Sequence, residues 1–195
     1  MQKTLENLAK AYIGESQARN RYTSYAKIAK KEGYEQIAAL FMETADNERE
    51  HAAQLIKMIG EIKKANNLPP DEIIIETGMP FNVLSDTLDN LQAAATGEKY
   101  EHSIMYPEFA ETAQTDGLPK VATRLLAIAK AEEHHEQRYQ KLITQLVNKT
   151  FFVKEQDVTW VCRECGYTHT GKMPPNICPS CDHEQAYYQL LSENY

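Results

Sequence analysis

Two Glu-x-x-His pairs, Glu48 with His51 and Glu132 with His135, and two CxxC pairs, Cys162 with Cys165 and Cys178 with Cys181, are the parts of this chain best suited to chemistry. A glutamate and a histidine three residues apart share one face of a helix, so they offer an oxygen and a nitrogen ligand to one metal ion. Two more glutamates, Glu15 and Glu98, stand 33 residues before Glu48 and 34 before Glu132. All four cysteines fall in the last 34 residues, and none is left over. Two disulfides would need an oxidising compartment, for which the chain shows no export signal, so the cysteines read as a tetrahedral four-sulfur metal site. The spacing suits zinc and a single iron equally. Gly166, just after Cys165, permits a positive φ that turns backbone N–H groups toward sulfur.

The elements that must position these residues follow from composition and periodicity. Up to about residue 150 the chain is rich in Ala, Glu, Leu, Lys and Gln, with helical periodicity and few breakers. Four helices are expected: from about Thr4 to Lys31, from about Tyr34 to Ala65, from about Asn82 to Thr115 with a kink at Pro107, and from Pro119 to near Asn148. Between the second and third, Pro69, Pro70, Gly78 and Pro80 mark a long connection suited to a crossover along a bundle. Its Ile73-Ile74-Ile75 run is expected to form a short strand or to pack on the helices. Past residue 157, Gly166, Gly171, Pro174, Pro175 and Pro179 punctuate short aromatic and β-branched runs, a loop-rich pattern with Trp160, Tyr167, Tyr187 and Tyr188 as its small core. The expected division is a bundle over residues 1–148, a linker over 149–157 and a small β/loop module over 158–195.

Each helix carries a glutamate in the middle of its apolar stripe. Leu5, Leu8, Tyr12, Glu15, Ala18 and Tyr22 share a face of the first; Ile37, Phe41, Thr44, Glu48, His51 and Leu55 share a face of the second. The third gives Leu84, Leu88, Leu91, Ala95, Glu98, Glu101, Met105 and Phe109, and the fourth Leu125, Ile128, Glu132, His135, Tyr139 and Leu142. Counted from the turns at Gly33 and Gly117, the paired glutamates come level within about 6 Å. Several ionised carboxylates cannot share a dry interior unaided, because desolvation costs several kcal/mol per ion and repulsion adds to it. No Lys or Arg lies on the stripes at that level, which leaves a metal as the compensating charge. A Glu from each of two helices with a Glu-x-x-His from each of the other two is the ligand set of di-iron and di-manganese carboxylate bundles. Glu101, three residues after Glu98, can reach the same layer as a fifth glutamate or can face water. His102 and His134 point away from the layer, and Tyr22, Tyr25, Tyr100 and Tyr106 either hydrogen-bond ligand carboxylates or fill the core.

Composition bounds the rest. The chain has 195 residues, 42% of them apolar, enough for a buried core. Its net charge of −7 repels phosphate backbones, so nucleic acid is not an expected partner. No apolar run is long enough to span a membrane and the start lacks a secretory core, so a cytoplasmic protein with no membrane association is expected.

Taken together, the segments Gly14-Glu15-Ser16-Gln17-Ala18, Glu48-Arg49-Glu50-His51, Gly97-Glu98-Lys99-Tyr100-Glu101, Glu132-Glu133-His134-His135 and the CRECGY and CPSC knuckles resemble the rubrerythrin family over nearly the whole chain. The resemblance implies a mainly α fold, a ferritin-like four-helix bundle with a long crossover, followed by a small rubredoxin-like iron domain. It implies that Glu48 and Glu132 bridge two irons, that Glu15 is terminal on the first, and that Glu98 and His135 serve the second. Glu101 and His51 would be alternative ligands of the first iron, exchanging with oxidation state, while Tyr22 and Tyr106 would support the ligands. Cys162, Cys165, Cys178 and Cys181 would bind the single iron. The implied activity is a peroxidase that reduces hydrogen peroxide to water in defence against oxidative stress. Electrons would enter through the rubredoxin-like iron from a separate reductase or rubredoxin, and a head-to-tail homodimer would bring each relay to its partner's di-iron site. The alternative is a ferroxidase or iron-handling protein with a structural metal in the tail. A purely structural zinc protein fails to explain five glutamates on core stripes.

Overall fold

The structure is a computed structural model that describes residues 1–69, 71–78 and 85–193. The expected helical start near Asn82, the stripe position Leu84 and the breakers Pro70 and Pro80 lie outside the described residues. Among the described residues, five α-helices form four rods: α1 (Gln2–Lys31), α2 (Glu35–Ala65), a third rod made of α3 (Thr87–Tyr100) and α4 (Tyr106–Thr115), and α5 (Pro119–Val147). Gly33 and Gly117, at φ 85° and 74°, make the turns that fold α1 against α2 and the third rod against α5. The Asp86 side chain caps α3 by accepting from the Asp89 backbone N–H at 2.9 Å. The Thr87 N–H donates to Glu32 Oε2 at 2.9 Å, tying the start of the third rod to the end of α1. The end of α2 and the start of the third rod therefore lie at opposite ends of the bundle. Among the described residues 71–78 no strand forms: Ile73 packs on the bundle while Ile74 is 87% exposed.

The third rod departs from the expected kink at Pro107. A π turn, Glu101–Met105, joins its halves, and the Tyr106 N–H reaches back five residues to the Glu101 carbonyl. Pro107 lacks an N–H and its ring crowds the preceding turn, so the chain widens upstream of it while Pro107 sits in the first turn of α4. One extra residue shifts the helical phase by about 100°. The buried positions beyond the turn are accordingly Tyr106, Ala110 and Ala113, not the expected Met105 and Phe109, which are only partly buried.

The bundle core has two halves. Tyr22, Tyr25, Phe41, Leu91, Tyr139 and Leu142 fill the half near Gly33, and Leu5, Leu8, Leu55, Ile62, Tyr106 and Leu125 fill the other. Between them lies a buried layer of Glu15, Glu48, Glu98, Glu132 and His135.

The C-terminal module is a three-stranded antiparallel sheet in the order β2 (Thr168–Gly171), β1 (Val158–Cys162), β3 (Tyr188–Leu190). Trp160 is 1% exposed and its indole N–H donates to the Gly171 carbonyl at 2.9 Å. The segment 149–157 is not a free tether. Phe151 is buried in the bundle core, Tyr34 meets its ring edge-on at 5.4 Å, and Phe152 stacks on Tyr34 at 6.2 Å while packing against the module core. A side-chain carbon at Gly33 would lie 3.7 Å from the Ala186 Cβ, so the module sits at the α1–α2 turn, at the end of the bundle.

Candidate metal centres

The stripes deliver their glutamates to one place. Glu15, Glu48, His51 and Glu132 form one group and Glu48, Glu98, Glu132 and His135 a second, with ligand atoms in each group all within 4.8 Å of one another. Glu48 and Glu132 belong to both. His51 Nδ1 lies 2.9 Å from Glu48 Oε2 and 2.8 Å from Glu132 Oε1, whereas His135 Nδ1 lies 3.3 Å from Glu48 Oε1 and 2.7 Å from Glu132 Oε2. Of the two histidines, Glu15 lies against His51, at 3.6 Å, and Glu98 against His135, also at 3.6 Å. The layout has two-fold character: each of two shared carboxylates turns one oxygen to each histidine.

The donor atoms suit cations that would sit among them. Glu15 Oε2, Glu48 Oε1, Glu98 Oε2, both Glu132 oxygens and His135 Nδ1 are buried without a hydrogen-bond partner. Close approach of so many ligand atoms with few aligned hydrogen bonds fits cations held among them. Leaving so many buried acceptors unmade costs about 1–3 kcal/mol each, which a bound cation removes.

The remaining Glu15 and Glu98 oxygens are held from outside. The Tyr22 hydroxyl donates to Glu98 Oε1 at 2.5 Å and the Tyr106 hydroxyl donates to Glu15 Oε1. Tyr22 follows Glu15 by seven residues and Tyr106 follows Glu98 by eight. The π turn absorbs the extra residue, which also accounts for the separations of 33 and 34 between the glutamates of each hairpin. Glu101, the first residue of that turn, belongs to neither group. It lines a cavity of about 480 Å³ with Lys10, Gln17, Arg21, Tyr100 and Met105. His102, half-buried, pairs instead with Glu136 at 2.7 Å, and His134 is exposed. Sequence reasoning missed the π turn; its signals were Pro107 and the one-residue difference between the separations of 33 and 34.

Without metal the layer must hold protons. Burial pushes the Glu15 carboxyl well up and Glu98 to about 8. Burial alone would lower both imidazoles, but Glu132, Glu15 and Glu48 hold His51 far above its usual range and Glu132, Glu48 and Glu98 raise His135 to about 12. Glu48, despite its burial, is pulled to about 2 by His135 and His51. The metal-free folded state therefore carries protons on Glu98 and His135 that the unfolded chain releases above its ordinary values of 4.5 and 6.5. Stability of the metal-free protein falls as pH rises from about 6 to about 8.5, while metal affinity rises because binding expels those protons. Thermal unfolding of chelator-treated protein across that range, beside metal titrations, checks both slopes; a melting temperature that rises with pH contradicts the arrangement.

The cysteines make the second centre. Cys162 and Cys181 sulfurs lie 3.8 Å apart and those of Cys165 and Cys178 3.7 Å apart, and all four lie within 4.8 Å of one another. A tetrahedron with metal–sulfur bonds of about 2.3 Å has edges of about 3.8 Å. Burial alone would raise Cys178, but the Tyr188 hydroxyl and the N–H groups of Ser180 and Cys181 pull it to about 6. Although the His183 N–H favours its thiolate, Cys181 goes up to about 12 through burial and the three neighbouring sulfurs. The knuckles turn through positive φ at Gly166 (77°) and Asp182 (59°), directly after Cys165 and Cys181. A Cβ at Gly166 meets no atom within 4 Å, so Gly166→Ala costs only left-handed strain, about 1–2 kcal/mol. Urea unfolding followed by the single tryptophan, Trp160, reports it.

No helix among the described residues is long and apolar enough to cross a membrane. The family model described as Rubrerythrin matches residues 6–143, and that described as Rubrerythrin, rubredoxin-like domain matches residues 160–189. Rubrerythrin-1 of Clostridium acetobutylicum is 46% identical over 99% of this chain and 96% of its own length. Rubrerythrin of Nitratidesulfovibrio vulgaris is 40% identical over the same shares. Among solved structures, a mixed-valence nigerythrin superposes with a TM-score of 0.64 at 32% identity, over 96% of this chain and 86% of that one. A Rhodobacter capsulatus bacterioferritin gives 0.64 at 19% identity, over 76% and 87%, and shares the fold. The carboxylate–histidine layer and the four cysteines fit the di-iron site and the rubredoxin-like iron of the matched family, and the relatives indicate an oxidoreductase role. From the bundle to the last knuckle, this chain belongs to the rubrerythrin family.

Proposed function

We propose that the protein is a peroxidase that reduces hydrogen peroxide to water at a di-iron centre in the bundle, with electrons relayed through a single iron in the cysteine module. The observation that carries this reading is the sharing of Glu48 and Glu132 between two histidine-bearing groups in a chain that also supplies a four-sulfur site. When bound, the iron pair supplies two electrons together, as cleavage of the O–O bond requires if no radical is to escape. Glu48 and Glu132 would be shared by the two irons, Glu15 and His51 would hold the first and Glu98 and His135 the second, and Glu101 would serve as the alternative to His51 on the first. Tyr22 and Tyr106 hold protons at Glu98 Oε1 and Glu15 Oε1 and fix those carboxylates in place. Cys162, Cys165, Cys178 and Cys181 hold the relay iron.

Residues 1–148 and 158–195 act as two units joined by 149–157. The module packs at the α1–α2 turn, whereas Glu48 lies fifteen residues beyond Gly33, about 22 Å along the helix. That separation supports relay to the di-iron centre of a partner in a head-to-tail homodimer. The electron donor is a reductase or rubredoxin, and the setting is cytoplasmic defence against oxidants.

Anaerobic stopped-flow spectroscopy of the reduced, iron-loaded protein mixed with hydrogen peroxide tests the reading, with metals measured on the same sample. Rapid return of the thiolate–iron absorption, with about two electrons consumed per peroxide, is expected. A zinc-filled module, or reoxidation no faster than that of isolated rubredoxin, overturns the relay and brings iron handling forward.

A further inference from the structure

We propose that the Tyr22 hydroxyl is a reserve donor of one electron and one proton to the metal layer, called on when the iron pair holds a single electron. The inference rests on the peroxidase reading. A single relay iron passes electrons one at a time, so the pair must pass through a half-reduced state, yet breaking the O–O bond takes two electrons.

A phenol gives up an electron readily only if its proton can leave with it, because the radical cation it would otherwise form is a charge in a dry interior. Tyr22 is 1% exposed and its hydroxyl donates to Glu98 Oε1 at 2.5 Å, so the proton acceptor is in place. The neighbouring buried hydroxyls of Tyr25 and Tyr139 make no hydrogen bond to a carboxylate. Tyr106 has an acceptor in Glu15, but its surroundings are the aliphatic half of the core. Tyr22 instead lies among Tyr25, Phe41 and Tyr139, with ring centres 6.1, 6.0 and 5.8 Å away. The same core half contains Phe151, and the adjoining Phe152 packs against Trp160, Cys162 and Cys178. Of the buried phenols described, Tyr22 combines a carboxylate acceptor with aromatic packing that leads toward the cysteine module of its own chain, a route separate from the partner module that feeds the iron pair.

The step balances. The iron pair and the Tyr22 ring give one electron each to hydrogen peroxide, the Tyr22 proton leaves through Glu98, one further proton comes from solvent, the O–O bond breaks and two waters form. A neutral tyrosyl radical remains on Tyr22. One electron from the ferrous cysteine-bound iron and one proton then restore the phenol.

The test uses the full-length, iron-loaded protein, oxidised and then given one reducing equivalent per iron pair, mixed anaerobically with hydrogen peroxide and freeze-quenched for electron paramagnetic resonance. A free-radical signal is expected whose hyperfine splitting collapses in protein grown on ring-deuterated tyrosine. It is lost in Tyr22→Phe and retained in Tyr25→Phe, in Tyr139→Phe and in Tyr106→Phe protein that metal analysis shows to hold its iron pair. Retention in those variants locates the radical even if Tyr22→Phe fails to hold iron. Peroxide consumption without a tyrosyl radical overturns the proposal alone, as does a radical that survives Tyr22→Phe or disappears in iron-loaded Tyr106→Phe. If fully reduced protein consumes no peroxide, the peroxidase reading fails and this proposal with it.

Discussion

On the proposed peroxidase reading, Cys178→Ser abolishes the thiolate–iron absorption and slows steady-state peroxide reduction by about 100-fold or more, equivalent to about 2.7 kcal/mol in the barrier. Cys178 is fully buried, and the groups that draw its thiol to about 6 make it the sulfur best prepared to bind as thiolate. A serine hydroxyl at that position stays protonated and leaves three sulfurs around a cation that needs four. The bundle does not share this core: Trp160, Cys162, Cys178 and Tyr188 form a cluster of their own. Chemically reduced bundle iron therefore still reacts with peroxide in a single turnover at the parent rate. The comparison of single-turnover with steady-state rates in one preparation separates the relay from the site it feeds. Unimpaired steady-state turnover would show that electrons reach the bundle by another route.

Glu132→Ala removes both bundle metals, whereas Glu15→Gln removes about one. Glu132 is completely buried and faces both histidines, with Nδ1 atoms 2.8 and 2.7 Å from its two oxygens. Glu15 faces only His51. Metal analysis after equilibration with excess ferrous iron distinguishes the two variants, and equal losses would contradict the shared-carboxylate layout. The metal-free Glu132→Ala protein is also less stable. The imidazoles of His51 and His135 are held protonated by the surrounding carboxylates, and removing one partner of a buried ion pair costs about 3–5 kcal/mol. Thermal unfolding of the two apo proteins at one pH measures the cost.

Most of the centre was legible in the chain because a helix converts spacing into direction. Glu48 with His51 and Glu132 with His135 had to share faces, and each glutamate interrupted an apolar stripe that only burial explains. Counting from Gly33 and Gly117 then gave the level of the layer. The third rod escaped this reasoning because the count assumes 3.6 residues per turn throughout. The π turn Glu101–Met105 breaks that assumption, which is why Tyr106, Ala110 and Ala113 are buried in place of Met105 and Phe109. The packing of the segment 149–157 escaped the sequence for a different reason: Phe151 and Phe152 follow a helix end and carry no period, so nothing local shows that they close the bundle core against Tyr34.

Residue type and regular spacing by themselves determined that this chain builds a carboxylate–histidine layer inside four helices and a four-sulfur site after them. Both facts depend on local geometry that repeats every few residues. Tertiary structure alone decided which carboxylates are shared, which oxygens the Tyr22 and Tyr106 hydroxyls occupy, and that the module rests at the end of the bundle. Those are contacts between residues as far apart in the chain as Glu15 and Tyr106, set by how the rods pack and where one widened turn shifts the phase, and no local pattern encodes them.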